Sequence, residues 1–346
     1  MELINQTGVP AELLVADTGM KEGERRLRTG CLLAKATFQM RGAAAELVTD
    51  DPLPILHAHE PTPLGDIPAD VRAGMGERVE IVVLAQAHAP RRRPVEQMRV
   101  GLQVDTTLHE LLVTGDRVWV GKGSDARPSA PIPFTTMPLT WTHAYGGTAE
   151  VWWDDHTRVP LQHPVNRAGL GFDAEGFARG MEAHCPPGYP RLTEERRLPN
   201  VEDPAHAIVT WADDPVPTCW AAHTGSQLVT GALAHRSSAP SPEELERIQG
   251  EGKRVSHAGL RLDAIEGPLS FRLTGCTDDG DWSFVLPPLR VSMDYALGAR
   301  RGARTLPPYQ VVILAEERRV TVTYQSWFKF WVDDESTERS VRLSVG

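Results

Sequence analysis

Short runs of branched residues in which apolar and polar positions partly alternate recur along this chain, separated by clusters of Gly, Pro and Asp. A period of two marks half-buried strands, and it picks out residues 31–40, 79–87, 97–104 and 108–113. Thr114-Gly115-Asp116-Arg117 has the composition of a hairpin turn and predicts a strand over 118–120. Strand character returns at 207–211, 269–274, 282–286 and 291–296. The clearest element is a hairpin of 309–314 with 319–325, where Val320, Val322 and Tyr324 share one face and Thr321 and Thr323 the other. A serine cap before Pro-Glu-Glu-Leu-Glu-Arg-Ile predicts one exposed helix between 237 and 250.

The pattern predicts a mainly β fold with a few short helices. It is either two antiparallel β lobes or one large β-sandwich, with a long irregular segment in the middle. The expected division is an N-terminal β lobe over 1–130, an irregular motif-bearing segment over 131–205 packed between the lobes, and a C-terminal β lobe over 206–346. The middle loses periodicity from about Gly121 to Pro204, yet it carries many rings, which supply enough apolar area to stay packed. Its most informative stretch is Pro-Ile-Pro-Phe-Thr-Thr-Met-Pro-Leu-Thr-Trp-Thr-His-Ala-Tyr-Gly-Gly at 131–147. The prolines hold 131–137 extended and let Pro138 open one or two helical turns, which Gly146 and Gly147 end. Trp141 and Tyr145 would then share one side of that helix. The expectation is a preformed aromatic corner that also includes Phe134 and Leu139.

Composition narrows the function. A formal net charge of −10 over 346 residues argues against a nucleic-acid backbone or an anionic membrane surface as the partner. The single basic run, Arg91-Arg92-Arg93 between two prolines, reads as a solvated loop. Cys31, Cys185, Cys219 and Cys276 are widely spaced and predict reduced thiols rather than a zinc site or a disulfide framework. The absence of a leader-like start or a long uncharged apolar window predicts a soluble cytoplasmic protein.

Candidate chemistry is sparse. His57 and His59 would face the same way on a strand, as two zinc ligands can, with Glu60 as a base, but surrounding prolines suggest an exposed segment and no third ligand can be named. Gly121-Lys122-Gly123-Ser124 lacks the spacing of a nucleotide loop, and Ser226 lacks the second glycine of a nucleophile elbow. No cofactor or metal is expected. Trp152-Trp153-Asp154-Asp155-His156 and Trp327-Phe328-Lys329-Phe330-Trp331 are aromatic clusters that could serve as core or as recognition surface.

Several segments in order carry a resemblance: 111–119 (Leu-Leu-Val-Thr-Gly-Asp-Arg-Val-Trp), Pro133-Phe134, Met137-Pro138-Leu139-Thr140-Trp141, Ala144-Tyr145-Gly146-Gly147, 163–172 (His-Pro-Val-Asn-Arg-Ala-Gly-Leu-Gly-Phe) and Leu198-Pro199-Asn200-Val201-Glu202-Asp203-Pro204. Together they resemble a bacterial domain-of-unknown-function family tied to type VI secretion as effector adaptors. The match departs from the family pattern at His163, where Asn is usual, and fades after Trp220. The resemblance implies a non-enzymatic cytoplasmic adaptor or chaperone that binds a toxin effector and helps load it onto the secretion spike, a VgrG-type protein or its tip. It also marks Trp119, Phe134, Pro138, Leu139, Trp141, Tyr145, Gly146, Gly147, Pro199, Asn200, Glu202 and Asp203 as protein-binding or structural residues. Two other classes are a structural part of a contractile particle and a metal-assisted or acid/base hydrolase. The hydrolase would draw on His57, His59, His143, His156, Asp154 and Asp155.

Overall fold

The computed structural model describes residues 1–71, 78–121, 125–163, 165–172, 186–187, 191–192, 196–210, 213, 215–224, 256–298, 300–333 and 338–346. The fold is mainly β, built from three larger sheets and several short ribbons. In the seven-stranded sheet, Ala11–Glu22, Arg25–Arg41, Arg319–Val332, Pro308–Leu314, Val79–Leu84 and Arg261–Leu262 lie side by side, with Ala44–Leu47 added to Arg25–Arg41. A five-stranded antiparallel sheet runs Val201–Glu202, Thr107–Thr114, Gln97–Val104, Leu269–Thr277, Gly280–Leu286. A four-stranded sheet runs Glu2–Asn5, Arg339–Val345, Val291–Leu297, Arg300–Leu306.

Each large sheet mixes strands from 1–130 with strands from 206–346. The longest ladder pairs Arg25–Arg41 with Arg319–Val332, from Gln39 opposite Arg319 to Arg26 opposite Val332. One apolar core joins the sheets through Leu32, Phe38, Ile81, Leu102, Leu111, Phe284, Met293, Val320 and Leu343. Strands from both ends of the chain therefore lie in the same sheets. Every such fully buried large side chain contributes roughly 1.5–3 kcal/mol relative to exposure.

The second face of the seven-stranded sheet carries a buried polar row between two small apolar clusters, Cys31 with Leu33 and Tyr309, and Val82 with Leu84, Val312 and Leu314. Lys35, Thr323, Gln310, Glu80 and Arg261 stand directly opposite one another on successive strands. The segment before Asp70 covers this row. Lys35 Nζ donates to Asp70 Oδ2 at 2.7 Å and to the Pro54 carbonyl at 2.9 Å. Asp70 also accepts from Leu56 N–H at 2.7 Å and from Thr323 Oγ1 at 2.6 Å, and the Tyr309 hydroxyl donates to the Asp70 carbonyl. A buried carboxylate is tolerated when its lone pairs are filled in this way.

Local expectations fared unevenly. The alternation over 319–325 holds, with Val320, Val322 and Tyr324 in the apolar core and Thr321 and Thr323 on the polar side. That strand runs on through Val332, placing Phe328 and Phe330 inward while Trp327 and Lys329 are exposed and Trp331 is half-buried. Residues 114–117 do not close a hairpin. Thr107–Thr114 pairs with Gln97–Val104 and Val201–Glu202, and Trp119–Val120 instead pairs with Arg127–Pro128. Residues 207–210 form no strand, because the Ile208 N–H is committed to the Glu202 side chain at 2.8 Å. The arginine run at 91–93 is an exposed turn in which Arg92 pairs with Asp278. The expected helix over 237–250, Ser226 and Cys185 lie outside the described residues; Cys31, Cys219 and Cys276 are free and buried. Among the described residues, no helix is long and apolar enough to cross a membrane.

Removing Asp70 would leave the Lys35 ammonium buried without its carboxylate. Asp70→Ala is expected to lower unfolding stability by about 3–5 kcal/mol, read from urea denaturation. The double variant Lys35→Met with Asp70→Leu should recover much of that loss.

Candidate functional site: a braced cavity among the motif segments

The middle segment contains a knot of side-chain amides and backbone carbonyls. Residues 136–138 form a short strand paired with Gln86–His88, then the chain makes one tight turn closed by His143 N–H to the Thr140 carbonyl at 3.0 Å. The expected helical turns after Pro138 are therefore absent. Pairing with the neighbouring strand satisfies the backbone there, and Tyr145–Gly146 continues as a strand beside Leu170–Gly171. Trp141 and Tyr145 consequently do not share a helix face.

Trp141 is half-buried, donates Nε1–H to the Ala221 carbonyl at 2.8 Å and meets His223 edge-on, with ring centroids 4.6 Å apart. Tyr145 is buried with Leu198 and Ile208 and contacts the His163 ring. Leu139 is fully buried, and its carbonyl accepts from the Cys219 thiol at 3.1 Å.

Two asparagines tie the motif segments together. Asn166 Nδ2 donates to the carbonyls of Trp141 and Tyr145 at 2.8 and 2.9 Å, while its own N–H is held by His163 Nδ1 at 3.1 Å. Asn200 Nδ2 donates to the Thr114 carbonyl and to Asp116 Oδ1 at 3.1 and 3.0 Å. Its backbone N–H reaches the His143 carbonyl at 2.8 Å. Neutral amides suit this task because they fill carbonyl lone pairs without burying charge. Gly146 has φ of 136°, and a Cβ there would sit 2.2 Å from the Asn166 carbonyl oxygen. At Gly115 a Cβ would lie 1.9 Å from the Ile132 carbonyl oxygen, so glycine lets the 131–134 segment close against the 114–117 bend.

Below this knot the Arg117 guanidinium donates to Glu202 and, at 3.0 Å, to the Pro199 carbonyl. Burial pushes the Glu202 carboxyl up, against the opposing pull of Arg117 and the Ile208 N–H. Asp203 is more exposed and pairs with His206 at 2.9 Å, which with the Ala205 N–H holds its carboxyl below the usual range.

These elements surround an open cavity of about 500 Å³ whose lining includes Asp116, Ile132, His143, Leu170, Arg197 and Asn200. Ile132 is 65% exposed, and Arg197 is exposed. His143 accepts or donates at Nδ1 with Thr140 at 2.7 Å and Thr142 at 3.2 Å. Burial lowers its pKa, and the nearby Asp116 charge opposes that shift. Both hydroxyl contacts fall on one ring nitrogen, so the ring is not strung between a hydroxyl and Asp116 as in a nucleophilic triad.

Of the residues marked as protein-binding or structural, Asn200 alone lines the cavity; His143, a hydrolase candidate, lines it as well. Leu139, Tyr145, Gly146, Gly147, Pro199 and Glu202 are buried, Phe134 packs in the main core, and Trp119 is half-buried against the Tyr145 cluster. Pro138 ends the short strand facing Gln86. Asp116, Ile132 and Arg197 were missed; Asp116 stands within a quoted motif, but its position on a rim depends on the 114–117 bend.

The hydrolase candidates do not gather. His57 pairs with Glu12 at 2.8 Å, His59 Nδ1 accepts the Ala69 N–H at 3.0 Å, and Asp154 caps a turn by accepting from His156 and Thr157 N–H. Among the described residues no group of three or more His, Cys, Asp or Glu side chains could hold a metal.

Residues 25–325 match the model of a family described as "Uncharacterized protein conserved in bacteria (DUF2169)". The chain belongs to this family. No curated protein and no solved structure matches it. The DUF2169 match begins with the Arg25–Arg41 strand and ends inside its ladder partner, so it takes in the closing pair and the whole knot.

Gly146→Ala should cost at least about 1–3 kcal/mol through backbone strain alone, measured by chemical denaturation. A second expectation concerns acid. His109, His143, His223 and His257 all have pKa values lowered from 6.5, chiefly by burial. The folded state thus prefers them neutral, and the unfolded chain takes up protons first as pH falls. Stability should be level above about pH 7 and decline from 6.5 downward through the folded pKa values. Melting curves between pH 7.5 and about 5.5 check this, and His143→Gln should flatten part of the slope.

Proposed function

We propose that this protein is a non-enzymatic adaptor that binds a toxin effector and helps load it onto a type VI secretion spike, a VgrG-type protein or its tip. The observation that carries the reading is the convergence of separated motif segments on one braced cavity with an exposed apolar residue at its mouth. The order of those segments resembles effector adaptors, and the geometry gives them a physical use.

An adaptor must offer apolar surface to its cargo and remain dispersed when empty. A small apolar spot, Ile132 with Leu170, beside charged Asp116 and Arg197 meets both demands. Holding that spot on a backbone pinned by Asn166 and Asn200 reduces the ordering cost of binding. In this reading Trp141, Tyr145, Gly146, Gly147 and Glu202 brace the surface, whereas Ile132, Arg197 and Asp116 meet the cargo. Residence in the cytoplasm follows from that role, since effectors are loaded before export.

Co-purification with the products of neighbouring genes tests the proposal. Ile132→Asp and Arg197→Glu should each reduce effector or spike recovery at least about tenfold, equivalent to about 1.4 kcal/mol, with melting temperature unchanged. Trp141→Ala should instead lower the melting temperature. Full recovery with both rim variants, or turnover of a small substrate that depends on His143, would overturn the reading.

A further inference from the structure

The strand Arg300–Leu306 lies at the edge of the four-stranded sheet, with Val291–Leu297 as its neighbour. It is exposed from Arg300 to Thr305. Three of its residues are arginines; among the described residues none of Arg300, Arg301 and Arg304 forms an ion pair, although Asp294 on the neighbouring strand shares the face of Arg301. Surface arginines elsewhere commonly form one: Arg25 pairs with Asp333, Arg41 with Glu46, Arg92 with Asp278, Arg272 with Asp281 and Arg318 with Asp279. In a chain of formal net charge −10, an edge strand with three arginines that form no ion pair among the described residues is a local excess of positive charge.

These arginines are also positioned. Arg304 lies over the Tyr295 and Phe328 rings, 5.7 Å from each centroid, and Arg300 lies 5.9 Å from the Tyr295 centroid. Arg300 and Arg304 share one face of the strand, while Arg301 points to the other. At the Leu306 end the edge runs into a cavity of about 650 Å³, lined by Thr305 and Leu306 together with Leu286, Pro288, Leu289 and Tyr324. Tyr324 is 4% exposed.

Charged side chains on an edge often serve only to repel other strands. That role needs no ring-stacked guanidinium and no cavity in line with the strand, here one whose apolar wall of Leu286, Leu289, Leu306 and Val322 is rimmed by Asp263, Glu266 and Arg290. We infer that Arg300–Leu306 receives an extended acidic segment of a partner protein, added as a further strand, with a large apolar side chain of that segment entering the cavity beside Leu306. Main-chain hydrogen bonds supply affinity in this mode, and side-chain pockets supply selectivity. The register asks for two acidic residues four apart, facing Arg300 and Arg304, and an aromatic or long aliphatic residue beyond them. A second copy of this chain fits less well, since edge-to-edge pairing would oppose arginine to arginine. The inference deepens the adaptor reading and rests on it for the class of partner.

The probe is a labelled peptide, Phe-Thr-Glu-Val-Thr-Val-Glu-Thr-Phe, whose symmetry serves either strand direction. Fluorescence anisotropy should show saturable binding, and hydrogen–deuterium exchange should show new protection confined to 300–306. The triple variant Arg300→Glu, Arg301→Glu, Arg304→Glu and the cavity-blocking Ala264→Trp, which alters an exposed lining residue, should each weaken binding at least about tenfold, or 1.4 kcal/mol. A version N-methylated at alternate residues should not bind. Equal binding of the N-methylated peptide would show charge attraction without strand addition and overturn the inference, as would no binding, self-association through this edge, or a preference for single-stranded RNA. Effector recovery that persists in the triple variant would leave the adaptor reading standing and remove this one. Loss of all effector recovery in the unmodified protein would remove the adaptor reading, while the peptide result still decides the edge.

Discussion

The ladder between Arg25–Arg41 and Arg319–Val332 is the constraint on which the rest of the molecule depends. It fixes segments almost 300 residues apart side by side, so the chain between them must leave and return to one sheet. Both faces of the ladder are buried, one by the main apolar core and the other by a charged pair set beside a small apolar cluster of Cys31, Leu33, Ile55 and Tyr309. Leu32, Ala34, Ala36 and Phe38 meet the apolar core on one side. On the other, Lys35 and Thr323 meet Asp70, whose carboxylate is filled by three donors. Register is strongly specified here, because a slip of one residue would send Lys35 into the apolar core and Ala36 or Ala34 onto Asp70.

The motif knot hangs from this frame through a different kind of bond. Val201–Glu202 joins the five-stranded sheet beside Thr107–Thr114, and from there Asn200 reaches Thr114 and Asp116 while Arg117 reaches Glu202 and Pro199. Short irregular segments expose many backbone carbonyls, and two amide side chains fill three of them and the Asp116 carboxylate. Rigidity in the middle segment thus comes from polar closure more than from apolar area. The cavity shares this bracing where Asn200, itself a lining residue, donates to Asp116 on the same wall.

Much of the sheet content was legible in the sequence because alternation survives wherever one face is apolar. The strands expected at 97–104, 269–274 and 282–286 on that basis are present, the last two extended to Leu269–Thr277 and Gly280–Leu286. Arg300–Leu306 was hidden because an exposed edge strand rich in arginine carries no apolar period. Lys35 and Asp70 were hidden because a charge in a strand pattern reads as solvent-facing, and only the tertiary cover over the second face reverses that reading. The motif residues were found, but their order along the chain could not separate those that line the cavity from those that brace it. Helical spacing misled at 138–145, where a neighbouring strand offered the backbone better partners than its own turn did.

The closing ladder also bears on how the polypeptide is made. Arg25–Arg41 can pair early with Ala11–Glu22 and Ala44–Leu47, but its long partner exists only once residues 319–332 are made, so during synthesis it keeps an open edge and an uncovered apolar side. A topology dominated by such distant pairings folds slowly, and its incomplete forms invite aggregation.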